Sequence, residues 1–444
     1  MKTPSTETPV ANLSGGNQQK VLFGREVLAS PTALLVDEPT KGIDIGTRSE
    51  IYRRLRQISN SGAAVVVSSA DGVEIEGLCD RVVIFARGAA VKELSGAEVH
   101  DAAITEANMT VTALREQAGP DAGSERRLNA FLRGDYFPPL VLCLLTIVIA
   151  GIINAINPYF LTAFNITNIL AATALLAFIS SAQLCAVLVG GMDLSVGPLA
   201  GLGVVLASFL MPSGASGVGL FLGAIVIIAA CTAYGLLQAA LIILLEIPSV
   251  VVTLASFIGL QGVSLLLRPQ PDGMIDTIVG DTMSTALGVI PLGTLVTVAA
   301  IIVLEWILRH SVIGRQMRAI GSAPTAARKL GVSYSRVVLA AFGAAGFLSG
   351  VASLLLASQI GIGSPVTGID LTLLSITAVV LGGSSIAGGR GSFVATLMGA
   401  VMVQLMIGAS TFLQAGPAWQ YGLVGITTVV AASLFSVVRS KAER

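Results

Sequence analysis

The chain has 444 residues, of which 54% are hydrophobic and only 12% are charged, and its mean hydropathy is +0.83. Soluble domains carry about 25% charged residues, so this composition excludes an ordinary soluble protein. The 26 basic and 26 acidic residues give a net charge of zero. A neutral balance argues against nucleic acid as a partner, because phosphate binding needs a basic surface. The composition predicts a multi-pass membrane protein.

Charge divides the sequence into two predicted domains and a linker. Residues 1–118 have mixed polarity, residues 119–136 have the Gly, Pro and charged composition of a linker, and residues 137–440 are mostly apolar. The N-terminus shows no basic stretch followed by an apolar one, so we expect no signal peptide and a cytoplasmic first domain. The four cysteines are widely spaced and predict neither a disulfide nor a metal site.

Residues 1–118 alternate segments with strand character and helix character. Short apolar runs at 33–36, 63–67 and 82–85 have the length of strands, and residues 17–29 and 48–59 place apolar residues at helical spacing. Continuous apolar runs are typical of strands covered on both faces. The alternation therefore predicts an α/β domain.

The remainder of the chain contains about ten candidate membrane spans, and the sequence leaves eight or nine open. They lie near 137–157, 166–190, 194–212, 218–245, 248–268, 293–309, 336–358, 370–386, 392–414 and 419–438. The loop 309–336 is basic and contains no acidic residue, whereas the loop 268–292 has three aspartates and one arginine. The first loop is therefore expected in the cytoplasm and the second outside, and an even number of spans places both termini in the cytoplasm.

Two motifs in the first domain indicate nucleotide chemistry. Ser14-Gly15-Gly16 opens a predicted helix, where a hydroxyl, unhindered N–H groups and the helix dipole can hold a phosphate. Asp37 and Glu38 follow an apolar strand. The first carboxylate can hold a hydrated Mg²⁺, and the second can orient or deprotonate an attacking water. Each motif alone is also compatible with a helix cap or a solvated turn.

Together, and followed by residues 42–44 and 80–82, these motifs resemble the C-terminal part of an ATP-binding cassette. The first motif ends in Asn-Gln-Gln-Lys at residues 17–20, and this ending resembles the second nucleotide-binding half of carbohydrate-uptake ATPases. The resemblance implies a signature that contacts nucleotide on an opposing cassette, a metal residue, a catalytic base and a communicating loop residue. The signature residues are Ser14, Gly15, Gly16 and Gln18. The metal residue is Asp37, the catalytic base is Glu38, and the communicating loop residue is Asp44.

The sequence departs from the cassette pattern at two places. It contains no Gly-x-x-x-x-Gly-Lys-Ser/Thr phosphate loop. ATP hydrolysis by this chain alone is therefore not expected, and ATP and Mg²⁺ would be shared with a partner ATPase that carries the loop. The family's switch histidine would fall at Ser69 or Ala70. The partial cassette could complete a site with the partner, or it could be a remnant.

Two glycine-rich elements interrupt the apolar domain, at residues 189–197 and 380–391. They resemble elements of ribose-type permeases, and this similarity runs from about residue 160 to the end. Irregular backbone at membrane depth needs protein or water to satisfy its polar groups. Their placement in the two halves suggests an internal repeat with a path between them. Gly191, Asp193 and Gly383 are the candidate pathway residues.

Several polar residues in the apolar domain have two possible roles. For Asp193, capping of the following helix is as compatible as a transport role. Gln183, Gln238 and Gln261 are candidates for a polar path, although hydrogen bonding between helices explains them equally well. Glu305, in the sixth predicted span, is assigned only to the cytoplasmic end of that span.

The basic loop 314–331, the coupling segment, resembles the cytoplasmic segment by which these permeases engage an ATPase. Its candidate docking residues are Gly314, Ala323, Ala326 and Gly331. The alternative is a basic loop held at anionic lipid headgroups. We favour docking, because small residues add nothing to lipid attraction.

The resemblance implies a permease for a monosaccharide such as ribose in the bacterial inner membrane, embedded in lipid and fused to part of its ATPase. Its implied partners are an ATPase chain with a phosphate loop, a sugar-binding protein and a second permease copy. The rival prediction is an ATP-independent channel or secondary carrier with a vestigial cassette.

Overall fold

The computed structural model describes residues 21, 24–25, 31–40, 45–69, 71–86, 89–104, 134 and 137–443. The chain divides into two compact units, Met1–Glu125 and Arg126–Arg444. The predicted linker 119–136 lies outside the described residues apart from Gly134, and its bounds stay a prediction.

The first unit contains two pairs of strands and two helices among its described residues. Strands β1 (Ala33–Asp37) and β2 (Ala64–Ser68) are parallel, and β3 (Arg81–Ala86) and β4 (Ala89–Ser95) are antiparallel. Helix α1 (Ile45–Asn60) follows β1, and helix α2 (Gly72–Leu78) follows β2. The predicted strands and the predicted helix 48–59 are confirmed. The predicted helix 17–29 lies largely outside the described residues.

Among the described residues, the β1–β2 sheet is covered on one face and exposed on the other, which differs from the expected cover on both faces. Leu34 packs with Ile51 and Leu55 of α1 in a small apolar core. On the opposite face, the paired residues Leu35 and Val66 are 80% and 56% exposed. The apolar runs are continuous, but the described helices α1 and α2 both pack on the Leu34 side.

The second unit is helical, and each of the ten predicted spans is a helix. The helices are α3 (Phe137–Ile156), α4 (Ala163–Leu188), α5 (Val196–Leu210), α6 (Gly217–Leu245), α7 (Ser249–Leu267), α8 (Thr277–Ser284), α9 (Leu292–His310), α10 (Val312–Ser322), α11 (Pro324–Lys329), α12 (Tyr334–Ile360), α13 (Ile369–Leu381), α14 (Phe393–Phe412) and α15 (Pro417–Glu443). Helices α8, α10 and α11 are short and do not correspond to any predicted span. Short strands at 272–274 and 362–363 pair with each other, as do those at 286–287 and 290–291.

Seven of the described helices are long and apolar enough to cross a membrane. They are α3, α4, α6, α7, α9, α12 and α14. Two of the ten predicted spans, α5 and α13, are only 15 and 13 residues long. Each of these short helices adjoins one of the glycine-rich elements, and the irregular backbone of that element limits the length of the helix.

Helices α4 and α12 form the centre of the second unit, whereas α3, α6 and α7 leave most of their apolar surface exposed, as a lipid-facing helix does. Small residues allow α12 to approach α6 closely. A Cβ atom on Gly235 would lie 2.3 Å from the carbonyl oxygen of Phe342, and one on Gly346 would lie 2.4 Å from that of Cys231. Such small-residue contacts are the usual way in which helices pack within lipid.

Candidate functional site

We call the two glycine-rich elements the first break, residues 189–197, and the second break, residues 380–391. Both breaks meet the end of α10 at one point. We call this point the glycine junction and define it as Gly190, Gly321, Gly388 and Gly389. The N–H of Gly389 donates to the carbonyl of Leu188 over 3.0 Å. A Cβ on Gly321 would lie 2.0 Å from that carbonyl oxygen and 2.3 Å from the Gly389 nitrogen. Gly190, Gly388 and Gly389 have φ of 79°, 97° and 75°. Only glycine fits this backbone contact without strain.

A cavity of about 790 Å³ lies beside the junction. Its lining includes Gly190 and Gly191 of the first break, Glu246 after α6, and Arg328 and Tyr334 from the two sides of the α11–α12 turn. The Arg328 guanidinium stacks over the Tyr334 ring at 4.4 Å. Gly191, a predicted pathway residue, therefore lines a cavity that adjoins the coupling segment.

Asp193 lies apart from the residues that line this cavity and is only 2% exposed. Its Oδ1 accepts hydrogen bonds from the Ser195 backbone N–H at 2.8 Å and from the Ser195 hydroxyl at 2.6 Å. The Gln238 amide donates to the same hydroxyl at 2.6 Å. These bonds order the turn that precedes α5, whose N-cap residue is Ser195 itself, and both roles considered for Asp193 stay predictions.

The three candidate glutamines have different surroundings. Gln238 bonds Ser195, and Gln261 donates to the carbonyl of Pro365 at 2.8 Å. Gln238 therefore links α6 to the start of α5, and Gln261 links α7 to the turn that precedes α13. Gln183 in α4 is fully buried, and neither polar atom of its amide has a partner among the described residues. Oε1 of Gln238 also lacks a partner, but of the three only Gln183 has its whole amide available for the hydrogen bonds that a polar path requires.

The coupling segment forms α10 and α11 and exposes an apolar tip. Ala323 and Ala326 are exposed, Leu330 is 85% exposed, and Gly331 has open space around it with a φ of 86°. An exposed leucine beside small side chains is suited to contact with another protein surface. The sequence prediction did not include Leu330.

Two predicted glycines have packing surroundings. Gly314 is buried, and a Cβ there would lie 2.3 Å from the carbonyl oxygen of Leu308, so glycine allows α10 to fold back on the end of α9. Gly383 begins the second break with a φ of 74°, and its N–H donates to the carbonyl of Val380 at 2.8 Å. Neither residue lines the cavity.

Glu305 is a buried acidic residue that the sequence analysis placed only at the cytoplasmic end of its span. Its carboxylate is 7% exposed and joins the end of α9 to the start of α14. Oε2 accepts from the Ser392 hydroxyl at 3.0 Å and the Phe393 backbone N–H at 2.7 Å, and Oε1 pairs with Arg309. The sequence signal that could have identified Glu305 as functional is the presence of an acidic residue near the end of an apolar span.

In the first unit, Asp37 and Glu38 lie at the carboxyl end of β1, beside the end of β2. The Glu38 N–H donates to the Ser68 carbonyl at 2.8 Å, and Glu38 has a φ of 49°. A non-glycine residue in the left-handed region costs free energy and is frequent at functional sites. Asp37 is exposed and Glu38 half-buried, so both carboxylates are accessible.

A buried carboxylate connects the two loops at this edge. Glu74 is 2% exposed and accepts hydrogen bonds from the hydroxyls of Thr40, at 2.7 Å, and Ser69. Burial raises the pKa of Tyr52, while its hydrogen bond with Thr40 acts in the opposite direction. Ser69, at the predicted switch position, is therefore held by Glu74.

The described residues contain no group of three side chains of the types that bind metals. Asp37 offers an exposed carboxylate, which fits Mg²⁺ because this ion takes most of its ligands from water and phosphates. The signature residues Ser14, Gly15, Gly16 and Gln18 and the loop residue Asp44 lie outside the described residues, and their roles stay predictions.

A helical membrane unit with two glycine-rich breaks, both in contact with a basic segment that ends in an exposed tip, has the organisation of a transport permease. Residues 165–432 match the family described as the branched-chain amino acid transport system / permease component. This match covers more than half of the chain, and the chain belongs to that permease family.

The N-terminal part is similar to sugar-import ATP-binding proteins. It is 48% identical over 100 residues to the putative ribose/galactose/methyl galactoside import ATP-binding protein of Halalkalibacterium halodurans, a match of 22% of this chain and 19% of the relative. It is 44% identical over 101 residues to the ribose import ATP-binding protein RbsA 1 of Rhizobium etli, with 23% and 20% covered. The chain thus spans about a fifth of these relatives and joins part of an ATPase to a permease.

Proposed function

We propose that this chain is the permease subunit of an ATP-driven importer for a monosaccharide such as ribose. The names of proteins similar to the N-terminal part include ribose import, and the description of the family of the membrane part includes transport. The proposal includes an ATPase chain with a phosphate loop, a sugar-binding protein on the outer face and a second permease copy. The membrane is the bacterial inner membrane, with both termini in the cytoplasm.

The observation that carries the proposal is the contact of Gly321 with both breaks. Gly321 ends the helix that leads to the exposed coupling tip, and it lies against the carbonyl of Leu188 and the nitrogen of Gly389. A displacement of the tip therefore displaces the backbone at both breaks, because this contact has no room to absorb it. An ATP-independent carrier has no need of such a linkage.

The partial cassette has defined tasks in this proposal. ATP with Mg²⁺, when bound, supplies the free energy of phosphoryl transfer to water. Asp37 would hold the hydrated Mg²⁺, and Glu38 would orient and deprotonate the attacking water. Glu74 keeps the loops that carry these groups together by accepting from Thr40 and Ser69.

In the transport cycle, the coupling tip receives the motion of the ATPase, and Ala323, Ala326 and Leu330 form its contact surface. The cavity at Gly191 lies on the same side as the tip and is the region from which the sugar leaves toward the cytoplasm. Gln183 supplies hydrogen bonds to sugar hydroxyls farther along the path.

The description of the family names branched-chain amino acids, which makes these the second candidate substrate. The test is therefore uptake of radiolabelled substrate into proteoliposomes that contain the partner ATPase and enclosed ATP. Radiolabelled ribose and radiolabelled leucine are measured separately, each with its binding protein. Unlabelled ribose, galactose and leucine serve as competitors of ribose uptake. We expect ribose to compete and leucine to have no effect. ATP-dependent uptake of radiolabelled leucine, with none of radiolabelled ribose, would contradict the proposed substrate class.

A further inference from the structure

The carboxylate of Glu305 is a bridge between two helices that are far apart in sequence. It accepts from Ser392 and Phe393 through Oε2, and the Val394 N–H lies 3.5 Å from the same oxygen. Oε1 is paired with Arg309, one turn farther along α9. The carboxylate thus lies at the N-terminus of α14, where a negative charge is favoured by the helix dipole and by charge-assisted hydrogen bonds.

A second bridge runs from the coupling segment to the same stretch. The Arg318 guanidinium, on α10, donates to the carbonyl of Gly391 at 2.9 Å. The chain between the two bridges is tightly folded, because the Ser311 hydroxyl accepts from the Gly314 N–H at 3.0 Å at the start of α10. Residues 305–318 are therefore fastened to residues 391–394 at both ends.

Helix α14 does not need Glu305 for its own N-terminal cap. The Ser392 hydroxyl accepts from the Ala395 N–H at 3.3 Å and already serves as that cap. A buried carboxylate is costly to desolvate, so its contribution to stability alone is small. What Glu305 adds is a connection between α9 and the end of the second break.

We propose that Glu305 is a positioning residue that fastens the coupling segment to α14. With the fastening in place, a force on the coupling tip moves α14 and the second break together. Without it, the coupling segment still displaces the second break through Gly321 and Arg318, but α14 does not follow, and ATP hydrolysis proceeds with little transport. This inference rests on the proposed ATP-driven import.

The test compares Glu305→Ala and Glu305→Gln with the wild type in proteoliposomes that hold the partner ATPase, ATP and the ribose-binding protein. The quantity is radiolabelled ribose taken up per ATP hydrolysed. We expect this ratio to fall about tenfold in Glu305→Ala, the effect of losing a charge-assisted hydrogen bond, with hydrolysis within about twofold of wild type. Glu305→Gln keeps one acceptor oxygen and is expected to be intermediate. Asp281→Asn, which changes an exposed carboxylate on the short helix α8, is the control.

Hydrogen exchange at the Phe393 amide gives the second readout, and we expect it to be faster in Glu305→Ala than in wild type. A parallel loss of uptake and hydrolysis, with the ratio unchanged, would mean that Glu305 only supports folding and would overturn the inference. An unchanged ratio with unchanged rates would overturn it as well. Absence of ATP-dependent ribose uptake in the wild type would instead contradict the proposed function, on which the inference rests.

Discussion

Gly321→Ala is expected to abolish uptake and to lower the free energy of unfolding of the membrane unit. The added Cβ would meet backbone atoms, the Leu188 oxygen at 2.0 Å and the Gly389 nitrogen at 2.3 Å, and no rotation of a side chain relieves this overlap. Overpacking of this kind costs about 1–3 kcal/mol, and here it also separates the coupling segment from the breaks. Thermal unfolding in lipid and ribose uptake measure the two effects.

The matched control is Gly259→Ala in α7, where no atom lies within 4 Å of the added Cβ. This variant is expected to transport at the wild-type rate, and its stability should be equal or slightly higher because alanine favours the helix. If Gly321→Ala were as stable and as active as Gly259→Ala, the glycine junction would not be the close contact described here.

Asp193→Ala is expected to destabilise the turn into α5. The change removes the acceptor for both the backbone N–H and the hydroxyl of Ser195, which are buried. Leaving a buried donor without an acceptor costs about 1–3 kcal/mol. Asp193→Asn keeps the Oδ1 acceptor, so we expect it to lose less than half as much. Unfolding of both variants in lipid gives the comparison.

The same two variants separate the structural role from a transport role. If Asp193 only orders the turn, Asp193→Asn retains ribose uptake per folded molecule. A stable Asp193→Asn protein without uptake would mean that the charge of the carboxylate serves transport. Equal destabilisation by asparagine and alanine would contradict the hydrogen-bonding role assigned to Oδ1.

The helices were predictable because a segment in lipid must satisfy its own backbone and be apolar over a membrane thickness. The two short helices, α5 and α13, were predicted as full spans because apolar residues continue across the boundary of each glycine-rich break. The edge position of Asp37 and Glu38 was also predictable, since the carboxyl ends of neighbouring parallel strands lie together.

The glycine junction and the Glu305 bridge were not predictable from local pattern. Gly321 has no feature in sequence that separates it from other glycines, because the atoms it touches belong to residues 188 and 389. The partners of Glu305 lie 87 and 88 residues farther along the chain. The exposure of Leu35 was missed for a related reason, since an apolar run does not show which of its faces is covered.

Uptake of radiolabelled ribose into proteoliposomes tests whether this permease carries out ATP-driven import. The liposomes contain this chain with or without a partner ATPase that has a phosphate loop, with ribose-binding protein outside and ATP or no nucleotide inside. We expect uptake only with both ATP and the partner. We also expect uptake to fall at least about tenfold in Glu38→Gln, because the base of a hydrolytic site is lost. ATP-dependent uptake that survives Glu38→Gln would make the partial cassette a remnant. Uptake without ATP or partner would contradict the account and identify a carrier.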